Sequence, residues 1–133
     1  MIRNVAVVAV GGALGAVVRW ALGEWFPDGS GFPWTTFAIN VVGSFLLALL
    51  PALGAVLRHE RWPLFLGTGV LGGFTTLSTY AVQGRGLLAD GSPWLAFGYL
   101  AGTLVACLGA VLLAQQFVSI EAQREFEADE GDE

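Results

Sequence analysis

Three stretches of the chain, about Pro33 to Leu57, Trp62 to Gln83 and Pro93 to Phe117, contain no charged side chain. A fourth, about Asn4 to Phe26, is interrupted only by Arg19 and Glu24. Each matches or exceeds the roughly 20 apolar residues that a helix needs to cross a hydrocarbon core about 30 Å thick. Lipid offers a backbone no hydrogen-bond partner, so runs of this length and pattern must close their own hydrogen bonds as helices. Of the 133 residues only 13% are charged, about half the roughly 25% that a soluble domain carries. The expectation is an all-α integral membrane protein with four transmembrane helices in residues 1–118, followed by an acidic, disordered tail in residues 119–133. A cleaved signal peptide is the alternative for the first stretch. Its apolar run exceeds a typical signal core, and no single cleavage site stands out.

Short polar breaks separate the stretches at Pro27–Gly31, Arg58–Arg61 and Gly84–Ser92, and the five tryptophans fall near span ends, where an interfacial aromatic belt forms. With four spans, Arg3, Arg58, Arg61 and Arg124 share one side of the membrane. The other side has Arg85, joined by Arg19 if that side chain snorkels outward. The positive-inside rule then places both termini in the cytoplasm. Seven of the eleven carboxylates lie between Glu121 and Glu133, so the net charge of −5 describes a tail and not a fold. No cluster of basic residues exists for nucleic acid.

The chemistry of soluble enzymes is missing. His59 stands alone in a polar loop, one cysteine cannot form an internal disulfide, and no phosphate-binding or dinucleotide fingerprint occurs. What remains are polar groups inside the spans, which are costly in lipid and therefore point to helix contacts or function. In the first span Gly11, Gly12 and Gly15 form a small-residue face suited to close helix packing. Arg19 lies deep enough that it must pair, snorkel or meet water. Glu24 is not at clean helical spacing from it, and helix-end carbonyls are equally suitable partners. In the second span Thr36, Asn40 and Ser44 recur at four-residue spacing on one face. The Asn40 amide must either bond another helix or line a wet path, since left unsatisfied it costs several kcal/mol.

The third span carries the strongest signal, Gly67-Thr68-Gly69-Val70-Leu71-Gly72-Gly73-Phe74-Thr75-Thr76-Leu77-Ser78-Thr79-Tyr80. Paired glycines followed by two β-branched threonines make a poor continuous helix. A break there exposes carbonyls that can hold a small cation and N–H groups that favour an anion. The fourth span adds Tyr99, Thr103 and Cys107 at four-residue spacing, a stripe that either packs or carries an anion on hydroxyls.

Gly11-Gly12 to Arg19-Trp20, Asn40-Val41-Val42-Gly43-Ser44-Phe45, and above all Gly72-Gly73-Phe74-Thr75-Thr76-Leu77-Ser78-Thr79-Tyr80 together resemble the Fluc (CrcB) family of fluoride channels. The resemblance covers roughly residues 3–117. It implies four helices with the third broken mid-membrane, assembled as an antiparallel dimer with two pores. It further implies a structural sodium ion, not transported, on the backbone carbonyls of Gly72 and Thr75. The pore residues it implies are Asn40, Tyr99 and Thr103, with Arg19 as the family's membrane arginine. Thr36 and Ser44, on the face of Asn40, join the candidate path.

The family pattern Thr-Thr-Phe-Ser-Thr-Phe has phenylalanines whose ring edges face the anion. Here Leu77 and Tyr80 stand in those places. Leucine has no ring edge, and the arginine bias disfavours insertion in both orientations. Pairing with a related second chain is therefore expected over self-pairing. The function implied is passive export of cytoplasmic fluoride across the plasma membrane. A proton-coupled cation exporter would need a carboxylate deep in the spans, and Glu24 sits near an interface. A non-transporting scaffold leaves the third span unexplained.

Overall fold

The computed structural model describes residues 2–54 and 61–119. The His59 loop, the end of the expected second span and the acidic tail lie outside the described residues. Helix α1 spans Ile2–Trp25, and α2 spans Trp34–Leu49 and tightens into a 3-10 turn at Leu50–Leu53. Helical run α3 joins Arg61–Pro63, a π-helical stretch at Leu64–Leu71, and Gly72–Phe74. Helices α4 (Leu77–Ala89) and α5 (Pro93–Gln115) complete the chain. No strand occurs among the described residues. Three helices, Ile2–Trp25, Trp34–Leu53 and Pro93–Gln115, are each long and apolar enough to cross a membrane.

Proline explains the tightening of α2. Pro51 has no N–H to give back to the helix, and Leu50 bonds instead to the Leu47 carbonyl three residues back. Glycine explains how α1 lies on α3. A Cβ at Gly11 would sit 2.5 Å from the Phe65 carbonyl oxygen, one at Gly15 would run into the Val70 carbonyl, and one at Gly73 into the Gly12 carbonyl. The two backbones touch, which gives dispersion contact that lipid cannot match. Gly72 and Gly73 are therefore helical, and Gly73 serves packing.

The helix stops instead at the threonines. Thr75 (φ −74°, ψ 159°) and Thr76 (φ −147°, ψ 113°) are extended, and α4 starts at Leu77. That helix runs to Ala89, so most of the polar break expected at Gly84–Ser92 is helical. Gly84 is tolerated because Leu100 of α5 fills the space where its Cβ would stand, 2.6 Å from the leucine Cδ2. The true stop is Gly91, at φ +73°, where the Ser92 and Gly91 N–H groups bond back to the Leu87 and Leu88 carbonyls.

Helices α2 and α4 both lie against α5. Between them Leu87, Ala96 and a fully buried Tyr99 form a core, joined by Phe32, Phe37 and Tyr80. Phe32 meets the Tyr99 ring edge-on at 5.4 Å. The segment after α1 is thereby anchored over the α4–α5 pair, next to the polar groups described below.

Candidate functional site

The extended Thr75–Thr76 pair is the centre of the polar structure. The Asn40 amide closes on Thr76 with both ends: its Nδ2 donates to the Thr76 carbonyl at 3.1 Å, and its Oδ1 accepts the Thr76 N–H at 2.8 Å. A side chain on α2 thus stands in for the missing helical partners of a buried residue. The Thr76 hydroxyl caps α4, accepting the Thr79 N–H at 3.0 Å. The Thr75 N–H and hydroxyl both donate to the Leu71 carbonyl, each at 3.0 Å. Arg19 reaches across from α1, and its Nε donates to the Gly73 carbonyl at 3.1 Å. Of the partners that the sequence left open for this arginine, the helix-end carbonyl is the one it meets. A cation there also complements the negative end of the helix dipole.

These bonds have a consequence for two carbonyls. In an uninterrupted helix Gly72 would receive the Thr76 N–H, and Thr75 would receive that of Thr79. Asn40 takes the first and the Thr76 hydroxyl takes the second. The extended pair cuts four carbonyls, Gly72 to Thr75, off from their helical donors; Arg19 answers that of Gly73, the donors of Gly72 and Thr75 are bonded elsewhere, and Gly72 lies exposed on the surface of the chain. Two neutral oxygens without a carboxylate suit a hard monovalent cation. Among the described residues no three His, Cys, Asp or Glu side chains come together as a metal site.

Two cavities meet at Thr76. One, of about 270 Å³, is lined by Asn40, Gly43, Ser44, Leu47, Thr75, Thr76, Leu77, Tyr80, Thr103, Leu104 and Cys107, with no charged side chain. The other, of about 350 Å³, is lined by Arg19, Glu24, Asp28, Thr36, Thr76, Thr79 and Gln83, among others. The face shared by Thr36, Asn40 and Ser44 is therefore divided, with Thr36 on the charged cleft, Ser44 on the uncharged groove, and Asn40 on the groove beside the Thr76 joint. Leu77 is 78% exposed and points away from the chain's own core.

The hydroxyls are less open to a ligand than their spacing implied. Tyr80 donates to the Leu100 carbonyl at 2.6 Å, and Thr103 donates to the Tyr99 carbonyl at 2.6 Å. Tyr99 itself is set back from the groove in the core and donates to Gln83 Oε1 at 2.8 Å. The hydrogens of these three hydroxyls are directed at protein, which leaves the second Nδ2 hydrogen of Asn40 and the Ser44 hydroxyl as donors on the groove wall that no protein bond uses. Cys107 lines the groove as a free thiol.

Sequence reasoning passed over Asp28 and Gln83. Asp28 Oδ1 accepts the Thr35 N–H at 2.7 Å, and its Oδ2 accepts the Thr36 hydroxyl at 2.7 Å, the Thr36 N–H at 3.2 Å and Gln83 Nε2 at 3.0 Å. Burial works to raise its pKa. The Thr36 hydroxyl, the Thr35 N–H, the Gln83 amide and the Thr36 N–H outweigh that and hold it below the ordinary 3.8. The seven-residue gap from Asp28 to Thr35 is too long for a local capping pattern, so no sequence signal marked it.

Residues 6–115 match the model of the CrcB-like family, described as Camphor Resistance (CrcB). The chain belongs to this family. Its curated relatives include the fluoride-specific ion channel FluC 1 of Streptomyces coelicolor, 50% identical over 113 residues, which are 83% of this chain and 73% of that protein. The fluoride-specific ion channel FluC 2 of Nocardia farcinica is 44% identical over 109 residues, 80% of this chain and 78% of that one. The fluoride-specific ion channel FluC of Agrobacterium fabrum is 44% identical over 112 residues, 81% and 90% of the two chains. The matched CrcB-like region takes in every polar contact described above. It ends at the last residue of α5.

Proposed function

We propose that this CrcB-like chain is a subunit of a passive fluoride channel that lets the ion leave the cytoplasm. The observation that carries the reading is the uncharged groove at the Thr75–Thr76 interruption, with the Asn40 amide on its wall, in a chain whose relatives are fluoride-specific channels. Hydrogen fluoride is neutral and crosses lipid unaided, then ionises in a near-neutral cytoplasm and is trapped as the anion. A narrow path with amide and hydroxyl walls lets the anion move down its gradient, helped by an inside-negative potential. No bond of the cargo is made or broken, so the chain is a channel and not an enzyme.

In this reading α3 and α4 form one span broken mid-membrane, the fourth beside α1, α2 and α5, with both termini cytoplasmic in the plasma membrane. Irregular backbone at that depth is tolerated where it is buried in protein or lines a cavity, and Asn40, Arg19 and the Thr76 cap supply the protein partners. A structural sodium would be held by the Gly72 and Thr75 carbonyls. Two carbonyls under-coordinate a small cation, so an inverted second chain completes the cage, giving an antiparallel dimer. The exposed Leu77, where the family pattern has phenylalanine, favours a related partner chain over self-pairing.

The test is fluoride efflux from liposomes holding this chain alone or with its partner, with chloride as control. Fluoride-selective efflux that needs no proton gradient is expected. Absence of efflux in either form, or equal passage of chloride, would remove the reading.

A further inference from the structure

We propose that Asp28 is a positioning residue for the anion path: its carboxylate sets which way the Gln83 amide faces, so that Gln83 offers the charged cleft a hydrogen-bond donor. The proposal rests on the fluoride-channel reading and adds to it a residue in the segment between α1 and α2.

The polarity of the chain of bonds follows from what each group can do. A carboxylate only accepts, a tyrosine hydroxyl both donates and accepts, and an amide has one accepting and one donating end. Asp28 Oδ2 lies 3.0 Å from Gln83 Nε2, and Tyr99 OH lies 2.8 Å from Gln83 Oε1. Of the three groups only Asp28 has a fixed sense. It draws the amide nitrogen toward itself, which turns the amide oxygen to Tyr99 and obliges the phenol to donate. The amide nitrogen carries two hydrogens, of which Asp28 uses one. The second is left for the cleft, where Gln83, Thr79, Thr76 and Arg19 share a wall system. The reverse amide orientation would put an acceptor beside that space, and an acceptor repels a small anion of high charge density.

The carboxylate is also kept from acting as a bare negative charge. Thr35 N–H, Thr36 N–H and the Thr36 hydroxyl all donate to it besides Gln83. The charged groups facing the same cleft are Arg19 and Glu24 on α1. Three elements thus converge on one carboxylate: the segment that carries it, the start of α2, and α4 through Gln83.

The experiment compares the full chain, with its partner chain where required, as wild type, Asp28→Asn and Asp28→Glu in liposomes at pH 7. Asp28→Asn keeps size and leaves one oxygen to accept the Thr35 N–H, but turns an amide nitrogen to the position of Oδ2, which Gln83 shares with the Thr36 donors, and so reverses the chain of bonds. Fluoride efflux is measured beside the side-chain amide signal of Gln83 in glutamine-labelled protein, assigned by its loss in Gln83→Leu. The expected result is a Gln83 amide proton shifted to low field in wild type and in Asp28→Glu but not in Asp28→Asn. Efflux should fall about tenfold in Asp28→Asn, the scale of one hydrogen bond removed from the path, and recover in Asp28→Glu. An unchanged Gln83 signal in Asp28→Asn overturns the proposal and leaves Asp28 as a helix cap. A changed signal with unchanged efflux overturns the role in transport. No efflux from wild type removes the channel reading instead, while the amide signal still decides whether Asp28 orients Gln83.

Discussion

Replacing Asn40 with leucine removes both hydrogen bonds that hold the extended Thr76, while keeping a side chain of similar volume. Thr76 is 7% exposed, so its N–H and carbonyl lose their partners where water scarcely reaches. Interhelical hydrogen bonds in membranes average about 0.6 kcal/mol, which sets a floor of about 1 kcal/mol for the pair. Leaving a buried group unsatisfied costs about 1–3 kcal/mol, so two such groups raise the expected loss to about 2–6 kcal/mol before any repair. One repair is open to the backbone. The freed Thr76 N–H can return to the Gly72 carbonyl and extend α3 by a residue, which recovers part of that energy and withdraws an oxygen from the proposed cation site. Two measurements are therefore expected to move together, unfolding in detergent and the gain in stability on adding sodium. Asn40→Leu should be less stable by the stated amount, and sodium should no longer protect it. Stability within ~0.5 kcal/mol of wild type, with sodium protection intact, would refute the assignment of Asn40 as the clamp of the interruption.

Gly73→Ala drives a methyl into the Gly12 backbone and should cost about 1–3 kcal/mol or prevent folding, whereas Gly109→Ala, with open space around its Cα in the interior of α5, should melt no lower than wild type in the same detergent assay. Gly72→Ala fits within the single chain, since its Cβ meets nothing nearer than the Gly67 carbonyl oxygen at 3.8 Å. It should therefore fold, and a loss of sodium protection in melting would report on what lies outside this chain. The Asp28 carboxylate titrates below 3.8 when folded, so its contribution to stability is full above the ordinary carboxylate range and disappears as pH falls through the lowered value. Melting curves of wild type and Asp28→Asn should stay a constant distance apart from pH 7 to about pH 4 and converge below it.

Much of the helical layout was legible because charge exclusion over twenty residues leaves a chain few alternatives. Arg19 and Asn40 were legible for a related reason: a polar group that deep has to be answered, and each is answered by backbone of the interruption. What the sequence could not assign was the division of labour within Gly72-Gly73-Phe74-Thr75-Thr76. Glycine and threonine both weaken helices, and nothing local says which of them breaks this one. The tertiary contact decides it. Gly73 is needed with helical geometry to let α1 approach, while Thr76 is held extended by an amide thirty-six residues away. The same reason hid Asp28, Gln83 and the run of α4 to Ala89, since Gly84 reads as a breaker until Leu100 is seen to fill its place.

The hydroxyl stripe is occupied by the protein's own bonds. Spacing alone makes Tyr99 and Thr103 look like rungs for an anion, yet both hydroxyls already donate to protein. Thr103 and Tyr80 donate to carbonyls of α5, and Tyr99 donates to Gln83. An anion that enters the groove competes with those carbonyls for the same hydrogens, so the hydroxyls can serve it only by exchange. The amides differ, because Asn40 and Gln83 each carry two hydrogens on nitrogen and spend one on protein. A donor that remains after every internal bond is made needs no rearrangement when the ion arrives. By that criterion the donors left spare beside Thr76 are the Asn40 amide and the Ser44 hydroxyl in the uncharged groove and the Gln83 amide in the charged cleft, and the fluoride reading predicts that these, before Tyr80, Tyr99 or Thr103, answer the ion.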